Sequence, residues 1–261
     1  MKDANPRIRS LVAVFIFLAL TSMGARAQDS ADGFLSDLHN FRVSNYVALD
    51  AYYRFSGTGD TDTLNEIVQG INSANDSMNS VAGSDSGVLS AEELEGLNQD
   101  INDVRNQGYP DLRLVSDMAN QALTMNEKAT ELYRVAQESS QTDTNPRVEA
   151  ARSAAVKMAQ MMAKYSVRTN SSVAQTFQGS STETPLDEQA RELDELLASV
   201  KKGEGTQELK AVIDDISSKW QFIRGSYINY NENNVGFVID RYSKGILKGL
   251  ATTIELLQGN A

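Results

Sequence analysis

Cationic and aromatic side chains recur at helical spacing in two stretches of the second half of the chain. Trp220 and Arg224 stand one helical turn apart, and Lys164 and Arg168 end a methionine-rich stretch at the same spacing. Guanidinium and aromatic groups that face one groove can hold a small anion or carboxylate by charge-assisted hydrogen bonds and stacking. The candidate ligand-binding residues are Arg224, Tyr227, Arg241, Tyr242, Trp220, Lys164 and Arg168.

The same residues also have a purely structural interpretation. Trp220 and Ile223 continue an apolar stripe that begins at Leu209, which is typical of a helix face packed in a core. Methionines such as Met161 fill irregular gaps, and arginines pair with nearby carboxylates. The sequence leaves both interpretations open.

The single histidine is not expected to bind a metal or to take part in catalysis. His39 is expected on a polar helix face beside Asp37 and Asn40. One imidazole in a chain without cysteine builds neither a typical transition-metal site nor a Ser-His-Asp triad. We therefore expect no metal at His39.

Acidic residues suggest two further sites that we discount. Residues 82–93 resemble an EF-hand loop, with Gly87 at the turn and Glu93 in the bidentate position, but Ala82 stands where the first aspartate belongs. Neighbouring carboxylate pairs point about 100° apart on a helix and are expected to be solvated surface charges. These pairs are Glu92-Glu93, Asp187-Glu188, Asp194-Glu195 and Asp214-Asp215. We predict no enzyme activity and no cofactor.

The first 27 residues have the composition of a cleaved signal peptide. Lys2, Arg7 and Arg9 precede an apolar run over residues 11–20, and Ala25-Arg26-Ala27 is a small-x-small cleavage motif. An uncleaved N-terminal anchor is the alternative. The sequence predicts a periplasmic or secreted protein.

The net charge limits the classes of partner that the protein can bind, and the absence of cysteine determines how it is stabilised. The formal net charge is −11, and it becomes −14 without the first 27 residues, which carry four cations and one carboxylate. This charge argues against nucleic acid and anionic membranes as partners. Because the chain has no cysteine, it has no disulfide, and its stability comes from core burial.

Apolar residues recur every three or four positions along most of the chain, and no alternating strand pattern interrupts them. The pattern predicts an all-α fold, an up-down antiparallel helical bundle with short connections. The predicted helices cover about 33–56, 62–81, 91–107, 111–139, 146–178, 185–201, 206–226 and 235–258. Candidate helix caps are Thr63, Ser90, Asn145, Thr184 and Thr206.

The eight helices fall into two sets of four. Shifts of 119 to 124 residues superpose the apolar patterns, for example Leu64 on Leu186 and Leu123 on Leu247. We interpret this as an internal duplication with an acidic first module over 28–140 and a second over 141–261. The first module has 19 carboxylates against six cations, so its surface differs from that of the second.

The second module resembles a known sensor domain. The matching segments are Gln160-Met-Met-Ala-Lys164, residues 186–197, residues 209–224 ending in Lys-Trp-Gln-Phe-Ile-Arg, and 237–250. They resemble the PilJ-like periplasmic sensor module of type IV pili methyl-accepting chemotaxis transducers, which is similar to nitrate-sensing modules of histidine kinases. The resemblance implies a ligand-binding helical bundle.

We therefore expect a non-enzymatic, soluble periplasmic sensor or binding module. Its partner would be a small ligand, with anions among the candidates, or a membrane-bound signalling protein. The alternative is a structural or accessory protein of the cell envelope or of pilus assembly that acts by protein-protein interaction.

Overall fold

Every described element of the chain is an α-helix. The computed structural model describes residues 26–83, 112–139, 145–169, 184–230 and 235–259, and these contain no strand. The helices are α1 Arg26–Thr58, α2 Thr61–Gly83, α3 Leu112–Ser139, α4 Pro146–Thr169, α5 Leu186–Lys201, α6 Gln207–Ile228 and α7 Gly236–Gln258. The predicted all-α bundle is confirmed. Within these residues, no helix combines the length and hydropathy that a bilayer span requires.

Most helix boundaries agree with the sequence prediction to within two residues. The exception is α1, which begins seven residues before the predicted start. The predicted helix over 91–107, the end of the one over 146–178, the EF-hand-like segment and residues 1–25 lie outside the described residues.

The helix caps are partly as predicted. Thr206 caps α6, since its side chain accepts a hydrogen bond from the backbone N–H of Leu209 at 3.2 Å. The Asn145 side chain likewise accepts from the N–H of Arg147 at 3.0 Å. The prediction for Thr184 is wrong by one residue, because Pro185 takes the cap position without a side-chain hydrogen bond. Thr63 is not a cap either.

Asp60, and not the predicted Thr63, caps the start of α2. Its carboxylate accepts from the backbone N–H of Asp62 and from the Thr63 hydroxyl, both at 3.3 Å. Gly59, with φ of 65°, makes the two-residue connection from α1 possible.

Helices α4 to α7 form an antiparallel ring. α4 packs against α5 and α7, and α6 packs against the same two helices. Arg147, at the start of α4, donates to the carbonyl of Val200 at the end of α5 at 3.0 Å. At the opposite end, the Tyr165 hydroxyl of α4 accepts from the N–H of Val235, just before α7, at 3.1 Å. The ring encloses one apolar core, to which each helix contributes fully buried residues such as Met161, Leu193, Ile216 and Leu250.

In the first half of the chain, α1 packs against both α2 and α3. Two apolar clusters lie along α1: one contains Tyr52 and Ile67, the other Phe41 and Met125. Asn45, buried between α1 and α3, donates to the carbonyl of Ala122 at 2.7 Å.

The two halves meet where α1 lies beside α4, and this pair is parallel. Arg152 of α4 donates to the hydroxyl of Ser36 at 2.7 Å, and the Ser166 hydroxyl donates to the carboxylate of Asp50 at 2.6 Å. Each of these pairs spans 116 residues. The helices therefore keep one register along their contact.

The α1–α2 contact depends on a glycine. A Cβ placed on Gly70 would stand 2.8 Å from the Cβ of Ala48 and 3.0 Å from its Cα. Such a distance is shorter than van der Waals contact, so a side chain at this position would push the two helices apart.

We expect Gly70→Ala to destabilise the protein by roughly 1–3 kcal/mol, the usual cost of overpacking. Gly225→Ala is the matched control, because nothing lies within 4 Å of a Cβ on this helical glycine. Alanine there should stabilise the protein by up to about 1 kcal/mol through helix propensity. Urea denaturation followed by circular dichroism measures both. Equal effects of the two substitutions would contradict the close approach.

Candidate functional site

Two of the seven predicted ligand-binding residues lie in the core of the α4–α7 ring. Trp220 is 4% exposed, and Tyr227 is fully buried between the rings of Trp220 and Tyr165. The Tyr227 hydroxyl shares a 2.9 Å hydrogen bond with the hydroxyl of Ser243. Burial raises the pKa of Tyr227 well above its usual value, so its hydroxyl stays protonated.

Arg224 is committed to an ion pair. Its Nε lies 2.9 Å from both carboxylate oxygens of Asp194 on α5, and its Nη2 donates to the same group at 2.6 Å. The indole N–H of Trp220 donates to Asp194 at 2.7 Å. Asp194 is thus not the solvated charge that the sequence suggested, since it joins α5 to α6.

The other four predicted residues occupy separate places. Lys164 donates to the carbonyl of Thr184 at 3.0 Å, and the Arg168 guanidinium lies 4.2 Å from the centre of the Tyr230 ring. The Tyr242 ring packs against the Phe222 ring, with 4.7 Å between the ring centres, and Arg241 is exposed. None of the seven residues lines either of two cavities formed by described residues.

The larger cavity is a cleft where the two halves meet. It has a volume of about 360 Å³ and is open to solvent. Its walls come from α1, α2, α4 and α7, so each half of the chain contributes two helices. The lining residues are His39, Asn40, Val43, Ser44, Ser73, Asp76, Ser77, Ala155, Leu247 and Ala251. The second cavity, about 20 Å³ beside Asn45, has room for little more than a water molecule.

His39 is the buried end of this cleft. It is only 6% exposed, which corrects the expectation of a polar helix face. Burial, helped by the nearby guanidinium groups of Arg152 and Arg42, lowers the pKa of His39 to about 3. The imidazole is therefore neutral at physiological pH. Its Nδ1 is buried without a hydrogen-bond partner among the described residues.

A buried polar cluster fixes the surroundings of His39. Arg152, 2% exposed, donates to Glu149 at 2.9 Å, to the Tyr133 hydroxyl at 3.2 Å and to Ser36. Tyr133 in turn donates to the second oxygen of Glu149 at 2.6 Å. Helices α1, α3 and α4 are thereby held together behind the imidazole.

A second cluster joins the halves further along α1. Asp50 is buried, and it accepts from Ser166 on α4 and from Arg54 at 3.0 Å. Burial raises the pKa of Asp50 although Arg54 and Ser166 act in the opposite direction. A fully buried carboxylate of this kind is costly unless it is paired.

Arg54 also forms ion pairs with residues of α2 and α7. Arg54 pairs with Glu66 of α2 and lies 3.3 Å from Asp240 of α7. Lys244 bridges the same two carboxylates, at 2.8 Å from Glu66 and 2.9 Å from Asp240. We call Asp50, Arg54, Glu66, Ser166, Asp240 and Lys244 the junction network; it joins the four helices that form the cleft.

Sequence reasoning missed the cleft residues, and only weak signals pointed to them. Ser73, Asp76 and Ser77 stand at helical spacing, which also describes any solvated helix face. Among the described residues no group of three or more histidine and carboxylate side chains is placed to hold a metal ion.

Comparison with protein-family models, curated proteins and solved structures finds no match to this chain. The resemblance to the PilJ-like sensor module and the internal duplication therefore remain predictions.

We expect Asp194→Asn to destabilise the protein by about 1–2 kcal/mol at pH 7, because the half-exposed Arg224 loses a charged acceptor. Burial alone would raise the pKa of Asp194, but the hydrogen bonds from Arg224 and Trp220 outweigh it and hold that pKa below its usual value. This contribution is complete above pH of about 4, the unfolded-state pKa, and is lost as the pH falls through the folded-state value.

The measurement is urea denaturation of both proteins at pH 7 and at low pH. The difference in the free energy of unfolding between the wild-type protein and Asp194→Asn should be smaller at low pH than at pH 7. Asp214→Asn is the control, because that exposed carboxylate has one long 3.3 Å contact with Lys201 and should change stability little. A constant difference across this pH range would contradict the assignment.

Proposed function

We propose that the protein is a non-enzymatic binding module of the cell envelope that holds a small ligand in the cleft between its two halves. The observation that carries this proposal is the 360 Å³ cleft, which ends on the neutral, buried imidazole of His39. Small-molecule sites commonly have volumes of about 300–1,000 Å³ and combine apolar walls with a few placed polar groups.

The position of the cleft supports a sensing role. A ligand there contacts α1 and α2 from the first half and α4 and α7 from the second. Its binding energy therefore depends on how the halves are placed, and occupancy favours one placement over others. A membrane-bound partner that contacts both halves would detect this change. An exported protein, as the leader sequence predicts, meets its ligand outside the cytoplasm.

The test is a thermal-shift screen of amines, polyols, amino acids and small anions, followed by a variant that fills the cleft. Ala251→Trp places an indole in the opening, where Ala251 is exposed and lines the wall. We expect it to abolish the rise in melting temperature given by any hit. Ala211→Trp is the matched control, since Ala211 is an exposed helical alanine on α6, outside the cleft lining, and this variant should keep the response.

Circular dichroism should show equal helicity in both variants. The proposal fails if no compound raises the melting temperature, or if the hits act equally on Ala251→Trp.

A second candidate function is an accessory protein of the envelope or of pilus assembly. It is favoured by two exposed aromatic residues, Phe222 at 64% and Phe237 at 78% exposure, with Tyr242 stacked against Phe222. Exposed aromatic groups close in the chain to an exposed cation such as Arg241 are typical of protein interfaces.

The double variant Phe222→Ser/Phe237→Ser tests this alternative. Since both side chains are exposed, we expect stability to change by less than about 0.5 kcal/mol per site. A partner that co-purifies with the wild-type protein from envelope extracts should be lost from the double variant and retained by the control Gln207→Ser, also exposed. Retention by the double variant would argue against this surface.

A further inference from the structure

The lining of the cleft is chemically uneven, and this unevenness selects among ligands. The α2 wall carries the carboxylate of Asp76 with the serines Ser73 and Ser77 on either side, one helical turn or less away. Val43, Ala155, Leu247 and Ala251 form an apolar wall from the other three helices. No described lining residue is a lysine or an arginine. An anion beside the α2 wall would meet the carboxylate of Asp76 and no lysine or arginine among the described lining residues.

Asp76 is available to a ligand. It is exposed, and it forms neither a hydrogen bond nor an ion pair with the described residues. The Ser77 hydroxyl beside it donates to the carbonyl of Ser73 at 3.0 Å, so its oxygen remains free to accept. A carboxylate and an adjacent hydroxyl acceptor suit an ammonium group, which has three donors and no acceptor.

His39 provides an independent indication at the buried end. Its imidazole lines the cleft while only 6% exposed. Its Nδ1 is fully buried, so a ligand in the cleft meets only the remaining exposed edge of the neutral ring. The guanidinium groups of Arg42 and Arg152 act electrostatically on the imidazole, so a second cation would be repelled there. The buried end therefore suits a neutral polar group such as a hydroxyl.

We propose that the ligand is a small organic cation with an ammonium group at Asp76, a short aliphatic stem on the apolar wall and a neutral polar group at His39. This inference rests on the proposed function and specifies its ligand class. The net charge of −11 acts in the same direction, since it raises the local concentration of cations near the protein surface.

Three probes of equal length separate the ligand classes: 4-amino-1-butanol, 1,4-butanediol and 4-hydroxybutanoate. They share a hydroxyl and a chain of four carbons, the fourth of which is the carboxylate carbon in 4-hydroxybutanoate. The group at the other end carries a positive, zero or negative charge. Isothermal titration calorimetry should give an affinity for the amine about tenfold higher than for the diol, a difference of about 1.4 kcal/mol. The carboxylate should bind more weakly than the diol.

Asp76→Asn should remove the preference for the amine and leave the affinity for the diol unchanged. Asp62→Asn is the matched control, since Asp62 is another exposed carboxylate of α2 that does not line the cleft, and it should keep the preference. His39→Leu should weaken the binding of the amine and of the diol equally, because both place a hydroxyl at the imidazole.

The possible failures are distinguishable. If 4-hydroxybutanoate or the diol binds as tightly as the amine and Ala251→Trp blocks that binding, the ligand class is wrong and the binding function stands. Unchanged amine binding in Asp76→Asn also overturns the ligand class. If none of the three probes binds, the inference is wrong, and the library screen alone then decides the proposed function.

Discussion

The placement of the two halves depends on pairing a buried charge. Asp50 lies inside the contact between α1 and α4, and removing a carboxylate from water costs several kcal/mol unless partners compensate. Ser166 and Arg54 are those partners, and Arg54 requires Glu66 and Asp240 in turn. Because these groups sit on α1, α2, α4 and α7, a rotation of one half against the other would break the contacts Ser166–Asp50, Arg54–Asp240 and Lys244–Glu66, while Asp50 and Arg54 would keep their pairing within α1. The cleft has the same four helices as walls, so the junction network holds its shape.

Two of the three carboxylates that contact Arg54 respond to pH with opposite signs. Burial raises the pKa of Asp50, so its contribution to stability falls as the pH rises from the unfolded-state value towards the folded one. The pKa of Glu66 is held below its usual value, since hydrogen bonds from Arg54 and Lys244 outweigh burial, so its contribution is lost as the pH falls. The junction is therefore most sensitive to acid through Glu66, while protonation of Asp50 offsets part of that loss.

The parallel register of α1 and α4 bears on the predicted duplication. Ser36 meets Arg152 and Asp50 meets Ser166, and the offset is 116 residues in both pairs. If the halves are repeats related by a twofold axis along the helices, equivalent residues of their first helices meet across that axis, as they do in a parallel coiled coil. The shifts between the apolar patterns are 119 to 124 residues. The offset of 116 residues differs from those shifts by three to eight residues, so the contacts of α1 with α4 do not pair equivalent positions of the predicted repeats, and the duplication stays a prediction.

The sequence predicted the helices well because apolar spacing is a local property, and a stripe such as Leu209, Ile213, Ile216 and Trp220 is visible without the fold. It could not predict the site for the same reason. Whether Arg224 is free depends on Asp194, 30 residues away on another helix, and whether His39 is buried depends on α4. In the sequence, Ser73, Asp76 and Ser77 look like any polar helix face. Only the fold places them in one cleft with Leu247 and Ala251 of α7. Sequence reasoning selected Trp220 and Arg224 for their residue types, and in the fold both already have Asp194 as their partner. The proposed binding groups Asp76 and His39 are recognised by their place in the cleft and by the partners they lack among the described residues, and only the packed helices reveal this.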